Sequence, residues 1–241
     1  MNKFDIQDSQ YREPYHHYVG FRAPGLQKHM RWGLRYYGYI SRVLELAAAL
    51  APRNVAEVGC GDGKILLELA QLCPAARFSG YDLSQKAIAF AQAFAWGRDE
   101  LSFTAGDFAD APGGYDLILC IETLEHIPDA AVAPFLATIR SKLAPQGRVI
   151  LTVPSANYPV TSKHYRHYTL DLLRQQTESQ FEIEACEYLH DPGSRFLAFL
   201  LVNRLFLLNS PRLSRLVFAR YGRKYRRAAA HKAQHLLAVL R

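Results

Sequence analysis

Two short clusters of ionisable side chains could do chemistry in this sequence. The first is Glu122-Thr123-Leu124-Glu125-His126, directly behind the apolar run Tyr115–Ile121, and the second is Lys163-His164-Tyr165-Arg166-His167-Tyr168-Thr169. Carboxylates and imidazoles so grouped suit proton transfer. His126 is the natural general base, because an unperturbed imidazole titrates near neutrality. Glu122, His164 and His167 complete the candidate catalytic set. The plainer alternative is that Glu122 and Glu125 cap a following helix while His126 packs.

A third pattern is Val55-Ala56-Glu57-Val58-Gly59-Cys60-Gly61-Asp62-Gly63-Lys64. Here an apolar strand runs into a glycine-rich turn that opens a helix, and a Cβ in such a turn would block close approach of a ligand to the backbone. A dinucleotide fingerprint wants a further glycine where Lys64 stands, and a P-loop wants Ser or Thr where Ile65 follows Lys64. Both phosphate-binding readings are weakened. Asp82 in Tyr81-Asp82-Leu83-Ser84 ends a second strand, where a carboxylate can accept both ribose hydroxyls. Gly106-Asp107-Phe108 ends a third.

Taken in order, these segments resemble the class I S-adenosylmethionine (SAM)-dependent methyltransferases, over about Asn54–Leu189 and again at the C-terminus. The resemblance implies SAM as cofactor, bound by Glu57, Gly59, Cys60, Gly61, Gly63, Asp82, Leu83, Asp107, Phe108 and Cys120. Glu57 would position the amino group of SAM. Asp107 would meet the adenine amino group, with Leu83 and Phe108 flanking the ring. Pairing Glu-x-x-Glu-His with a later histidine also resembles two metal-dependent groups, the small-RNA 3′-end 2′-O-methyltransferases and the ubiquinone-biosynthesis O-methyltransferases. That likeness implies the ligands Glu122, Glu125, His126 and His164, with His167 as the alternative to His164. Such a mixed oxygen and nitrogen set suits Mg²⁺, Mn²⁺ or Zn²⁺, acting on the acceptor oxygen as Lewis acid and template. The whole pattern, from Pro14-Tyr15-His16-His17-Tyr18 through Trp32-Gly33-Leu34 to Lys163-His164-Tyr165-Arg166-His167-Tyr168-Thr169, most resembles bacterial methyltransferases of surface-glycan or small-metabolite synthesis.

The elements that must position these groups follow from periodicity. Apolar runs predict strands at Asn54–Gly59, Arg77–Asp82, Leu101–Asp107, Tyr115–Ile121, Arg148–Val153, Phe181–Leu189 and His235–Leu240. Helical patterns lie between them at Lys64–Leu72, Gln85–Trp96, Ala130–Leu143 and Leu170–Glu178, with Ser84 and Thr169 as N-caps. The alternation predicts an α/β fold: a three-layer, Rossmann-like, seven-stranded, mostly parallel sheet with one antiparallel strand. Residues 1–50 would form an N-terminal arm and helix capping the substrate. Residues 51–241 would form the methyltransferase domain, with a basic helical insertion at 194–232 before the last strand. In that insertion Leu213, Leu216, Val217 and Tyr221 tend to one side, and Arg212, Arg215, Arg223 and Arg226 to the other.

Hydrophobic residues are 49% and charged residues 21% of the chain, which excludes general disorder. The four scattered cysteines suit a reduced compartment better than a disulfide framework or a zinc cluster. The polar Met1–Gln10 shows no secretory signal and no apolar run is of spanning length, so the expected location is the cytoplasm, with peripheral contact at the inner membrane face. The net charge of +7 is uneven: from Pro192 to Arg241 there are eleven Lys and Arg and no acid. That asymmetry points to an anionic partner or to a homodimer contact. The leading expectation is O-methylation of a hydroxyl on a glycan or small molecule. The alternatives are a metal-dependent RNA 2′-O-methyltransferase, for which no RNA-binding motif is present, and a non-catalytic SAM-binding scaffold.

Overall fold

The computed structural model describes residues 2–12, 14, 26–197 and 211–241, with backbone alone for 26–34, 211, 213 and 214. Seven strands form one sheet: β1 Asn54–Val58, β2 Arg77–Asp82, β3 Leu101–Ala105, β4 Tyr115–Ile121, β5 Leu143–Pro154, β6 Ile183–Leu189 and β7 His235–Leu240. Their order is β3-β2-β1-β4-β5-β7-β6. All neighbours pair in parallel except β7, which runs antiparallel to both β5 and β6. The helices are α1 Lys3–Asp8, α2 Leu26–Ala49, α3 Lys64–Leu72, α4 Gln85–Phe94, α5 Asp129–Lys142, α6 Leu170–Thr177 and α7 Pro211–Lys224.

The period-2 alternation of a strand sends neighbouring side chains to opposite faces, and β4 shows it directly. Leu117 and Leu119 join Val43, Leu66, Leu69 and Phe78 on the face covered by α2 and α3. Ile118 and Cys120 join Leu136, Ile139, Tyr168 and Leu173 on the face covered by α5 and α6. Strands covered on both faces read as nearly continuous apolar runs, which is why this sheet was legible. Chain order reverses between β1 and β4. In open α/β sheets that switch point, beyond the carboxyl ends of the strands, is where ligands bind.

Several boundaries move. Strand β3 stops at Ala105, because Asp107 turns out of the sheet and its Oδ1 accepts the Ala109 N–H at 2.8 Å, capping a short 3₁₀ turn. Helix α4 ends at Phe94, and β6 begins at Ile183. Strand β5 begins at Leu143, which pairs with Tyr115 ahead of a bulge. Ser84 and Thr169 cap α4 and α6 as the sequence predicts.

The insertion is only partly helical among the described residues. Helix α7 ends at Lys224, after which the chain makes an isolated bridge from Arg227 to Leu189. Val217 and Tyr221 are buried, but Leu216 is exposed, contrary to the expected apolar face. The side chain of Leu213 lies outside the described set, as do Tyr15, His16, His17, Tyr18 and the side chains of Trp32 and Leu34. Part of the basic charge is matched locally, Arg226 by Glu45 and Arg227 by Glu187.

Candidate active site

A single cavity of about 620 Å³ opens at the switch point, well within the ~300–1,000 Å³ usual for small-molecule sites. The loop after β1 forms one wall. Gly59 has φ +72°, and a Cβ there would sit 2.5 Å from Thr123 Oγ1, so only glycine lets this loop lie flat against the segment after β4. The Gly59 and Cys60 N–H groups donate to the Tyr81 carbonyl at 2.8 and 3.0 Å. Asp82 then ties the loops together: its Oδ2 accepts the Gly61 N–H at 2.9 Å and its Oδ1 the Ser84 N–H at 2.8 Å. Glu57 is buried, and its Oε2 has no hydrogen-bond partner among the described residues. Burial, then the negative charges of Asp62 and Asp82, push its carboxyl well above the usual range. A buried acid with an unused oxygen beside two more acids calls for a cationic ligand group. This end of the cavity therefore suits the ammonium group of SAM.

Glu57, Gly59, Cys60, Asp82, Leu83, Asp107 and Phe108 all line the cavity. Gly61 and Gly63 stand behind it, where they shape the turn. Cys120 does not reach it: its thiol is fully buried in the core layer under α5, where burial pushes it well up.

The other wall carries the imidazoles. Glu125, His126 and His164 each place one ligating atom within 4.8 Å of the others. The hydrogen bonds fix their tautomers. A carbonyl can only accept, so His126 Nδ1 donates to Lys163 O at 3.1 Å and leaves Nε2 with its lone pair. His167 Nδ1 donates to Tyr158 O at 2.6 Å, so His167 Nε2 accepts from His164 Nδ1 at 2.7 Å. His164 Nε2 is thereby also left with its lone pair. Burial, then Lys163, lowers His126 to about 4, and burial, then His126, lowers His164 to about 3, so both are neutral at physiological pH. Glu125 Oε2 is buried without a partner among the described residues. Burial, then the nearby Glu122 carboxylate, pushes the Glu125 carboxyl well above the usual range, so this acid favours its charged form only beside a positive group. Two neutral imidazoles, each oriented from behind, and a buried carboxyl group with an unused oxygen form a donor set that fits a divalent cation. The sequence left His164 and His167 as alternatives. The structure uses them in series, His164 in the cluster and His167 holding it.

Glu122 stands apart from that group. Its backbone is left-handed, at φ +52°, and its carboxylate turns to His235, whose Nδ1 donates to it at 3.1 Å. Burial would raise the Glu122 carboxyl, but His235 and then Arg35 bring it down to about 2. Arg35 Nε in turn donates to His235 Nε2 at 2.7 Å. Arg35 and His235 both line the cavity, and sequence reading missed both. At separations of 200 and 113 residues no local spacing signals them.

Helix α1 lies across the mouth. Lys3 Nζ donates to Ser162 O and His164 O at 2.9 and 2.8 Å. At the other end Asp8 accepts from Ser84 Oγ at 2.6 Å and pairs with Lys86.

The profile of a family described as "Methyltransferase domain" matches residues 27–192. A ubiquinone biosynthesis O-methyltransferase of Thiobacillus denitrificans is 40% identical over 95 residues, which cover 37% of this chain and 40% of that protein. The chain thus spans less than half the length of that relative. Among solved structures, the N-methyltransferase NodS of Bradyrhizobium japonicum, in complex with S-adenosyl-L-homocysteine, has a TM-score of 0.64 at 15% identity, covering 100% of this chain and 98% of that one. Magnesium protoporphyrin IX methyltransferase of Synechocystis, with bound SAM, has a TM-score of 0.62 at 18% identity, again covering 100% and 98%. At these identities the likeness is one of fold.

Proposed function

The chain belongs to the family of class I SAM-dependent methyltransferases, and on that premise we propose that it methylates a hydroxyl oxygen of a small molecule or glycan. The observation that carries the reading is one cavity with the unpartnered Glu57 oxygen and glycine loop on one wall and the Glu125, His126 and His164 cluster on the other. Glu57 holds the amino group of the cofactor, Asp82 the ribose, and Asp107, Leu83 and Phe108 the adenine. When bound, SAM supplies an electrophilic methyl group on a sulfonium centre. Glu125, His126 and His164 would hold a divalent cation, Zn²⁺ or Mn²⁺ ahead of Mg²⁺ because two of the three donors are nitrogen. A cation there would lower the pKa of the acceptor hydroxyl and fix its oxygen. His167 and the Lys163 carbonyl keep both imidazoles in the ligating tautomer. Residues 1–50 cap the acceptor, with Lys3 and Asp8 fastening α1 over the cavity and Tyr36 and Tyr39 offering aromatic faces.

The outer surface bears on where the acceptor is carried. Helix α7 exposes Arg212, Arg215 and Arg220 beside Leu216 and Phe218, a combination that suits an anionic membrane surface at the cytoplasmic face. A homodimer contact is the competing use of the same face.

The test is to incubate the protein with methyl-labelled SAM and an extract of its source cells, with and without EDTA. RNase-resistant label in the saccharide, small-molecule or lipid fraction is expected, and EDTA should abolish it. Label confined to the lipid fraction would support the membrane reading, and label in the soluble fraction alone would count against it. RNase-sensitive label would replace this proposal with the RNA reading. Label that survives EDTA would leave His126 as a metal-free base.

A further inference from the structure

The group least explained by methyl transfer is Arg35. It projects from α2 into the acceptor half of the cavity and is held on two sides. Its Nε donates to His235 Nε2 at 2.7 Å, and its guanidinium carbon lies 4.7 Å from the centre of the Tyr158 ring. His235 cannot swing away, because its other nitrogen donates to Glu122 and its ring packs 4.5 Å from that of Tyr39. Among the described residues no carboxylate pairs with the Arg35 guanidinium and nothing accepts from its two terminal nitrogens. Glu122, whose carboxyl is lowered in part by the Arg35 charge, is turned to His235. A second cation, Lys163, lines the same wall.

A guanidinium fixed at Nε and stacked on an aromatic ring presents its two terminal nitrogens as a flat, two-pronged donor, which matches the two oxygens of a carboxylate. An arginine there to stabilise the fold alone would be expected to end on an acid or on backbone carbonyls. We propose that the acceptor carries a carboxylate and that Arg35 is the residue that selects it, docking the acid on Nη1 and Nη2 so that the hydroxyl faces the Glu125, His126 and His164 wall. The proposal rests on the methyltransferase reading and narrows its substrate to a hydroxylated organic acid. His235 acts through Arg35 as a positioning residue. Its Nδ1 donates to Glu122, which leaves Nε2 to accept from Arg35 Nε.

The test uses the full chain saturated with S-adenosylhomocysteine and two probes of one shape, the catechol acid protocatechuate and its primary carboxamide. Binding is read by calorimetry on the native protein, Arg35→Gln and Arg35→Lys. The native protein should prefer the acid by about tenfold, as one charge-assisted bidentate contact supplies. Arg35→Gln should bind the two probes equally, and Arg35→Lys, which keeps the charge but not the fork, should recover only part of the preference. Both variants should bind S-adenosylhomocysteine as the native protein does, which shows that the fold is intact. Equal binding of acid and amide by the native protein, binding of neither, or a preference that survives Arg35→Gln overturns the proposal. Failure of the native protein to bind S-adenosylhomocysteine would instead overturn the reading beneath it.

Discussion

His126→Ala lowers turnover by about 10²–10⁴-fold, the range expected when a group acting on the acceptor proton is removed, while the affinity for S-adenosylhomocysteine stays within about twofold because no cofactor contact is touched. The two effects separate because the cavity has two walls. His126 stands on the segment after β4, with Nδ1 held by the Lys163 carbonyl and Nε2 4.0 Å from Glu125 Oε1. Its loss removes one of the three donors that we propose act on the acceptor oxygen. The loop of Gly59, Asp82 and Ser84 is bonded within itself and does not depend on His126. The measurements are single-turnover methyl transfer and calorimetric titration on the same preparation. Turnover within threefold of the native rate would remove His126 from the reaction. A parallel fall in cofactor affinity would mean that the substitution damaged the fold.

Asp82→Ala acts on the opposite wall and should weaken S-adenosylhomocysteine binding by about 100-fold, since hydrogen bonds to a charged group contribute about 1.5–3 kcal/mol each and about 1.4 kcal/mol is tenfold. Two losses combine. On the proposed binding mode the ribose hydroxyls would lose their carboxylate acceptor, and the Gly61 and Ser84 N–H groups lose the oxygens that tie the two loops together. Asp82→Asn keeps the size and one acceptor, so its loss should be smaller, about tenfold. An unchanged dissociation constant in Asp82→Ala would refute the ribose role and leave Asp82 as a loop tie alone.

The sheet and the cofactor wall were legible because both are local in sequence. Val55–Val58 and Leu117–Ile121 are buried on both faces and, Glu57 apart, apolar. Gly59, Asp82 and Asp107 each stand at or just beyond a strand end, where chain order alone brings them together. The acceptor wall was only half legible. The spacing of Glu122, Glu125 and His126 suggested one group of ligands, but the left-handed backbone at Glu122 turns that carboxylate toward His235, and spacing cannot reveal a backbone sign. His164 and His167, three apart, could not be ranked without the bond that couples them. Arg35 and His235 belong to α2 and β7, and only the antiparallel return of β7 between β5 and β6 brings them to the site.

The central claim is that the cavity between the Gly59 loop and the Glu125, His126 and His164 wall holds the SAM skeleton. It is tested most directly by titrating S-adenosylhomocysteine into the purified protein and following the backbone amides by NMR. The expected result is saturable one-to-one binding, with the largest shifts at Gly59, Gly61, Ser84 and Ala109. Absence of saturable binding, or shifts confined to residues away from this cavity, would contradict the account.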